Sequence, residues 1–335
     1  MDLSEILAMI WGSLPEMVWL IFIYGIVTLG LNFILGHGGM FHLGQIGFFV
    51  LGGMASTIVT SELWVKKYPG LTPFSNFVLG IILGVVISIL AAVGIGVPTL
   101  RLRGDYFAIA TLGFGEIVKV VLNANDDLRY VPVPKIFHTG SEEIDLDLEI
   151  ILAAGIFIIF FIIIMWLTRR PFGRVLHAVR DDELGAESLG KNAFVVRLKA
   201  FIFGAAMASI AGSLYVHHFG VFSPMSYMID MTVMFLVIVV LGGIGNNVGT
   251  LLGVITVVFL SAIPRWITRA CEIDPTTVNI GAINLLIFAG IIIAVMIFHP
   301  PGILGEGSKL EPFANRIKRE VMRFLLGARR GGGHA

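Results

Sequence analysis

Apolar runs of bilayer-spanning length recur along this 335-residue chain, and no other feature constrains its fold as strongly. A helix crosses the roughly 30 Å hydrocarbon core of a bilayer with about 20 apolar residues. Nine hydrophobic segments can be read: 15–35, 45–61, 76–97, 105–123, 149–168, 197–219, 229–241, 248–264 and 280–298. Apolar residues make up 56% of the chain and charged residues only 14%, where soluble domains carry roughly 25%. A soluble core could not bury so much apolar surface. The expected fold is therefore all-α, a polytopic helical membrane protein with about nine transmembrane segments. A formal net charge of +0 gives no argument for nucleic acid as a partner. The single cysteine, Cys271, excludes an internal disulfide framework. Asp2 and Glu5 stand where a basic n-region would lie, so no cleavable signal peptide is expected.

Basic loops set the orientation. Residues 169–199 hold seven Lys/Arg, the tail 299–335 holds another seven, and Arg101 and Arg103 precede the fourth segment. Residues 124–149 hold seven Asp/Glu against Arg129 and Lys135. One threading keeps these basic clusters in the cytoplasm. It places the N-terminus and loops 62–75, 124–148 and 265–279 outside, and 98–104, 169–196 and the tail inside. Arg265 and Arg269 are left outside. On this reading residues 1–298 form the transmembrane domain, with a cytoplasmic loop at 169–196, and 299–335 form a basic cytoplasmic tail. Within the tail, Ile317, Val321, Phe324 and Leu325 share one helical face opposite Arg and Lys, the pattern of an amphipathic helix lying against membrane lipid.

Two segments end in glycine-rich breaks, "GHGGMFHLG" at 36–44 and "LGGIGNNVG" at 241–249, each beside a short segment. Paired short, glycine-interrupted segments point to a transport pathway, because irregular backbone at membrane depth needs protein or a water-filled cavity to satisfy it. Ordinary tight turns at the cytoplasmic surface would read the same way one at a time; the pairing favours the pathway. Its candidate residues are Asn32, Gly36, His37, Gly38 and Gly39 in the first half, and Gly242, Gly243, Gly245 and Asn246 in the second. His37 and His42 flank the first glycines and suit a polar lining better than a metal site.

The stretch "GRVLHAVRDDELGAESLGKN" at 173–192 is charged between greasy flanks, and it nearly contains a P-loop. A P-loop needs Ser or Thr after its Lys to hold Mg²⁺, and a buried strand before it. Here Asn192 follows Lys191, and a membrane segment precedes. ATP binding on this chain is excluded. Asp181, Asp182 and Glu183 instead read as the start of a helix, where acids suit the dipole. Ala186 and Gly190, four apart, share a face that another protein could approach closely.

At this point the blocks resemble a known family. Residues 173–190 resemble the coupling loop of ABC importer permeases, in the version found in branched-chain amino acid permeases. "LNFILGHGGMFHLGQIGFFVLGGMAS" at 31–56 and "LGGIGNNVGTLLGV" at 241–254 resemble the same family. "RLRGDYFAIATLGFGEIV" at 101–118 resembles its LivM-like rather than its LivH-like members. Some LivM-like chains carry an extra hydrophobic segment at the N-terminus, which residues 1–14 do not supply. The common coupling-loop pattern has Glu-Ala-Ala and then Gly four residues on; here Leu184, Gly185 and Ala186 stand in those places, with Glu183 one position early. The resemblance implies that Asp182, Glu183, Ala186, Glu187 and Gly190 meet an ATPase. It implies a second, LivH-like permease subunit, two cytoplasmic ATPase subunits that bind the ATP, and a periplasmic amino-acid-binding protein. The chain itself would need no cofactor and would sit in a bacterial inner membrane.

Glu116 and Lys119 lie inside the fourth segment, where a charge costs about 2.5–3.5 kcal/mol on insertion scales. At i,i+3 they form a plausible intramembrane ion pair. No nucleophile–His–acid arrangement is legible, so no enzymatic activity is expected. The expected function is translocation of Leu, Ile or Val as one permease subunit of an ABC importer. A urea or short-chain amide permease would share fold and coupling, and an ion-coupled secondary transporter is the alternative from another class.

Overall fold

In the computed structural model, the described residues are 3–61, 64, 72–102, 104–137, 141–227 and 229–270, with isolated positions between 282 and 303. The ninth expected segment, the tail with its amphipathic helix, and Cys271 lie mostly or wholly outside the described residues, as does most of loop 62–75.

Among the described residues there are eleven α-helices. They are α1 Leu3–Asn32, α2 Gln45–Thr60, α3 Pro73–Thr99, α4 Asp105–Asn123, α5 Asp126–Arg129, α6 Glu142–Leu167, α7 Pro171–Asp181, α8 Glu183–Ser188, α9 Ala193–Phe219, α10 Ile229–Gly242 and α11 Asn247–Ala270. The boundaries follow local chemistry. Thr72 caps α3 by accepting from the Ser75 N–H at 3.2 Å, with Pro73 in the first turn. Asn192 caps α9 by accepting from the Val195 N–H at 3.0 Å, and α9 stops at Gly220, whose φ is +68°.

Among the described residues, five stretches are long and apolar enough to cross a membrane: Trp11–His37 and the bulk of α3, α6, α9 and α11. Two shorter apolar helices, α2 and α10, adjoin the glycine breaks. Helix α1 is the hub, packing on α6, α9, α10 and α11. Of its most apolar window 83% is buried, against 22% for α3 and for α6, whose outer faces are left for lipid or a partner chain. Helices α2, α3 and α9 pack closely through small residues, as membrane helices do without a hydrophobic drive between them. At Gly212 a Cβ would collide with the Phe49 carbonyl of α2.

The helix ends gather into two layers. At one end a two-stranded antiparallel pair joins Val131–Pro132 to Val221–Phe222. Beside it, His217 bonds the Pro134 carbonyl at 2.8 Å and Ser56 at 2.9 Å. Glu149 accepts from His218 at 2.6 Å, and the His218 ring stacks on Trp19 at 3.7 Å. The glycine breaks and α7–α8 lie together at the other end.

Candidate functional site

Helix α1 does not stop at Asn32. It runs on as a single π-helical turn, Phe33–His37, before the chain leaves helix at Gly38. Gly39 has φ +66°, and in the second break Gly243 and Gly245 have φ +106° and +83°. All three are left-handed positions that only glycine adopts without strain.

The two breaks are locked together. Asn32 donates through Nδ2 to Asn247 Oδ1 at 3.0 Å and accepts at Oδ1 from the Gly245 N–H at 2.8 Å. Gly36 lies so close to Gly245 that a Cβ would fall inside the Gly245 backbone. His37 Nε2 is 3.1 Å from Asn247 Oδ1. That oxygen can only accept, so Nε2 donates and Nδ1 is left to accept from His177 Nε2 at 3.0 Å. Asn247 Nδ2 reaches Met165 Sδ of α6 at 3.8 Å. Asn246 serves its own helix: its Oδ1 accepts from Val248 and Gly249 N–H at 3.1 and 3.3 Å, capping α11.

His177 comes from α7, and so does the second link to the breaks. Arg180 donates through Nη1 to the Gly36 carbonyl, and its aliphatic stem lies over Gly39. Helix α7 can do this because it is amphipathic: Gly173, Leu176 and Val179 are buried along one side. The chain turns at Asp182, whose Oδ1 accepts from the Gly185 N–H at 3.0 Å to start α8, where the sequence placed a helix start. Gly190, at φ +75°, reverses it again into α9. Glu183 reaches forward to Arg197 of α9 at 2.8 Å, bracing the hairpin. The Gly185 N–H is taken by Asp182 and the Lys191 N–H by the Ala186 carbonyl. These groups are turned inward rather than around an anion, so the P-loop lookalike has no phosphate cradle.

The structure places Ala186 differently from the expected docking face. Ala186 is 4% exposed and packs against Val179 and Ala193, because α8 must sit on α7 and α9 to close the hairpin. The apolar groups offered to solvent are Leu184 and Leu189, 78% and 80% exposed. Glu187 and Gly190 are also exposed. Beside α8 a polar groove of about 410 Å³ opens between Glu183, Glu187 and Arg197 on one side and Gly39, Arg101 and Asp105 on the other.

His42 is not a polar lining group. It is fully buried with its ring among Phe48, Phe107 and Phe201, and burial drives its pKa down to about 3. Glu116 and Lys119 stand apart from the cluster, paired with each other at 2.5 Å on α4. Of the expected pathway residues, Asn32, Gly36 and Gly245 meet directly, and His37 joins them through Asn247. Gly38 and Gly39 carry the first turn, and Gly242 and Gly243 the second. Sequence reasoning missed Asn247, His177 and Arg180. The asparagine doublet in an apolar run is the one signal for the first, since an amide there demands a partner.

The family described as branched-chain amino acid transport system, permease component, matches residues 14–298. The high-affinity branched-chain amino acid transport system permease protein LivM of Salmonella typhimurium is 30% identical, over 84% of this chain and 68% of that protein. LivM of Escherichia coli is 29% identical, over 86% and 69%. LivH of Salmonella typhimurium is 25% identical, over 69% and 78%. With its helical bundle and hairpin, and a match spanning most of its length, the chain belongs to the branched-chain amino acid transport system permease component family.

Proposed function

We propose that this chain is one of two non-identical permease subunits of an ABC importer for branched-chain amino acids in a bacterial inner membrane. A LivH-like chain forms the other half of the path, two cytoplasmic ATPase subunits bind and hydrolyse the ATP, and a periplasmic binding protein delivers the substrate. The observation that carries this reading is the direct linkage of the hairpin α7–α8 to the first glycine break through Arg180 and His177, and of that break to the second through Asn32 and His37. A segment that docks on an ATPase and also grips the helix breaks can turn ATPase closure into movement of those breaks. Leu184, Leu189, Glu187 and Gly190 form the docking surface; Asp182, Glu183 and Ala186 shape the hairpin behind it. The Asn32–Asn247–His37–Gly245 lock closes the cytoplasmic end of the path. When it opens, the substrate can leave at that end, and aliphatic walls along the path suit side chains that need no hydrogen bonds.

The test is co-purification and uptake in the reconstituted complex. Gly190→Trp abolishes uptake and weakens ATPase capture, because it puts bulk on the docking face and strains the left-handed turn that shapes it. Lys191→Ala transports nearly normally, since one exposed charge contributes roughly 0–1 kcal/mol. A photo-crosslinkable ATP labels the ATPase chain alone. Label on residues 185–192, or uptake that proceeds without any ATPase, would overturn the reading.

A further inference from the structure

Among the described spanning helices, α4 is the one that carries an acidic and a basic side chain midway along its length, Glu116 and Lys119. It runs the length expected of a span, yet it is not among the helices apolar enough to cross a membrane. Its outward stripe carries Ile109, Gly113, Glu116 and Val120, spaced four, three and four residues apart on one face. A Cβ on Gly113 would touch nothing. The Glu116 side chain is 35% exposed on this stripe, with Lys119 bonded to it. Glu116 lies roughly 16 Å along α4 from Asp105 at 1.5 Å per residue, deep in a core about 30 Å thick. The outward faces of α3 and α6 show what lipid accepts: Val78, Ile82, Val86 and Leu90 on one, Ile151, Ile158 and Ile163 on the other. A carboxylate and an ammonium at the same depth belong beside protein or water, not acyl chains.

Resting on the importer reading above, we infer that the outward stripe of α4 is the wall of the substrate path facing the second permease subunit, with the Glu116–Lys119 pair as a contact for the substrate's zwitterionic head group. The pair offers complementary charges three residues apart: Glu116 for the substrate ammonium, Lys119 for its carboxylate. Between substrates the two neutralise each other, so the stripe carries no net charge into the seam. The neighbouring Gly113 leaves room beside the pair, and Ile117 and Val120 supply aliphatic surface for the side chain.

Cysteine accessibility in the complete reconstituted complex tests the seam, with Cys271 replaced. Gly113→Cys and Val120→Cys react with a charged, water-soluble methanethiosulfonate, and saturating liganded binding protein slows the reaction. Val86→Cys on α3 stays unlabelled. If the α4 cysteines are as inert as Val86→Cys, the stripe faces lipid or dry protein and the proposal fails. For the pair, Glu116→Gln raises the transport KM about tenfold with the complex intact, the loss expected for one charge-assisted contact. The double exchange Glu116→Lys with Lys119→Glu restores assembly but not transport, because a zwitterion bound between them meets reversed charges. Full transport in the exchanged chain would show a merely structural pair and overturn the assignment. Should the Glu116 variants fail to assemble, the cysteine reactivity of the otherwise native chain still decides. A complex that moves no branched-chain amino acid yet labels at Gly113→Cys would refute the substrate reading while leaving the seam standing.

Discussion

A histidine buried among phenylalanines has its charged form suppressed by lost hydration, and His42 is that case, with its pKa lowered to about 3. Its Nδ1 accepts from the Gly44 N–H at 3.4 Å, so the neutral ring also holds the turn between α1 and α2. Above pH 6.5 the ring is neutral both folded and unfolded, and His42 makes no pH-dependent contribution. Between pH 6.5 and about 3 the unfolded chain takes a proton that the folded chain refuses. Stability is therefore lost as pH falls, by about 1.4 kcal/mol per unit. The expected result is a thermal midpoint for the purified complex that drops between pH 7 and 5.5, with a smaller drop in His42→Gln. Equal drops in the two proteins would show that other groups carry the acid sensitivity. Gly36 offers a second residue-scale test. A methyl there meets the Gly245 backbone, which cannot retreat without breaking the Asn32 bond. Gly36→Ala should cost about 1–3 kcal/mol, the range for forced overpacking, and lower the midpoint. Gly94→Ala on α3, where a Cβ meets nothing, serves as the neutral control.

At the scale of elements, α7 bonds the first break through Arg180 and His177, and on the proposed reading these two links separate docking from transmission. Arg180→Ala leaves Leu184, Leu189 and the α8 surface in place, so the ATPase subunits should still co-purify in full. Uptake should fall at least tenfold, while ATP hydrolysis continues without stimulation by the loaded binding protein. Arg180→Lys should recover part of the uptake, since an ammonium can still reach a carbonyl but lacks the planar fork. If Arg180→Ala transported normally, the link to Gly36 would be a passive contact. The elements themselves were largely legible. Segments expected at 45–61, 105–123 and 229–241 are helices Gln45–Thr60, Asp105–Asn123 and Ile229–Gly242, because each apolar run is bounded by turn chemistry. Helix α6 begins at Glu142, not near 149, since a hydrophobic window excludes its acidic start although acids favour helix N-termini. The candidate site was legible only in halves. The glycines, Asn32 and the helix start at Asp182 stand in the sequence, but the His37–His177 and Asn32–Asn247 contacts join residues 140 and 215 apart. No local period encodes such pairings.

For the molecule as a whole, the two layers of helix ends turn the charge distribution into a topology. One layer holds Arg101, Arg169, Arg170, Arg174, Arg180, Lys191 and Arg197, around the turn before α4, the hairpin and the glycine breaks. The opposite layer holds Arg129 and Lys135 with the acidic start of α6, tied together by the β1–β2 pair and His217. Basic loops are retained in the cytoplasm, so on the proposed reading the first layer is expected to face the ATPase and the second the binding protein. On that reading the bundle would act as a lever with its input and output at one end. The hairpin and the lock lie together in the basic layer, while the far layer is braced by buried polar links such as Glu149–His218. In a background lacking Cys271, Ser188→Cys on α8 should react with an impermeant maleimide only in inside-out vesicles. Asp127→Cys, exposed in the opposite layer, should react only in right-side-out vesicles. Labelling of both from one side would break the threading, because an even number of crossings would have to separate them. Reversed labelling of both would keep the fold but turn it over, putting the hairpin outside, where no ATPase can reach it and the coupling role of α7 and α8 could not stand.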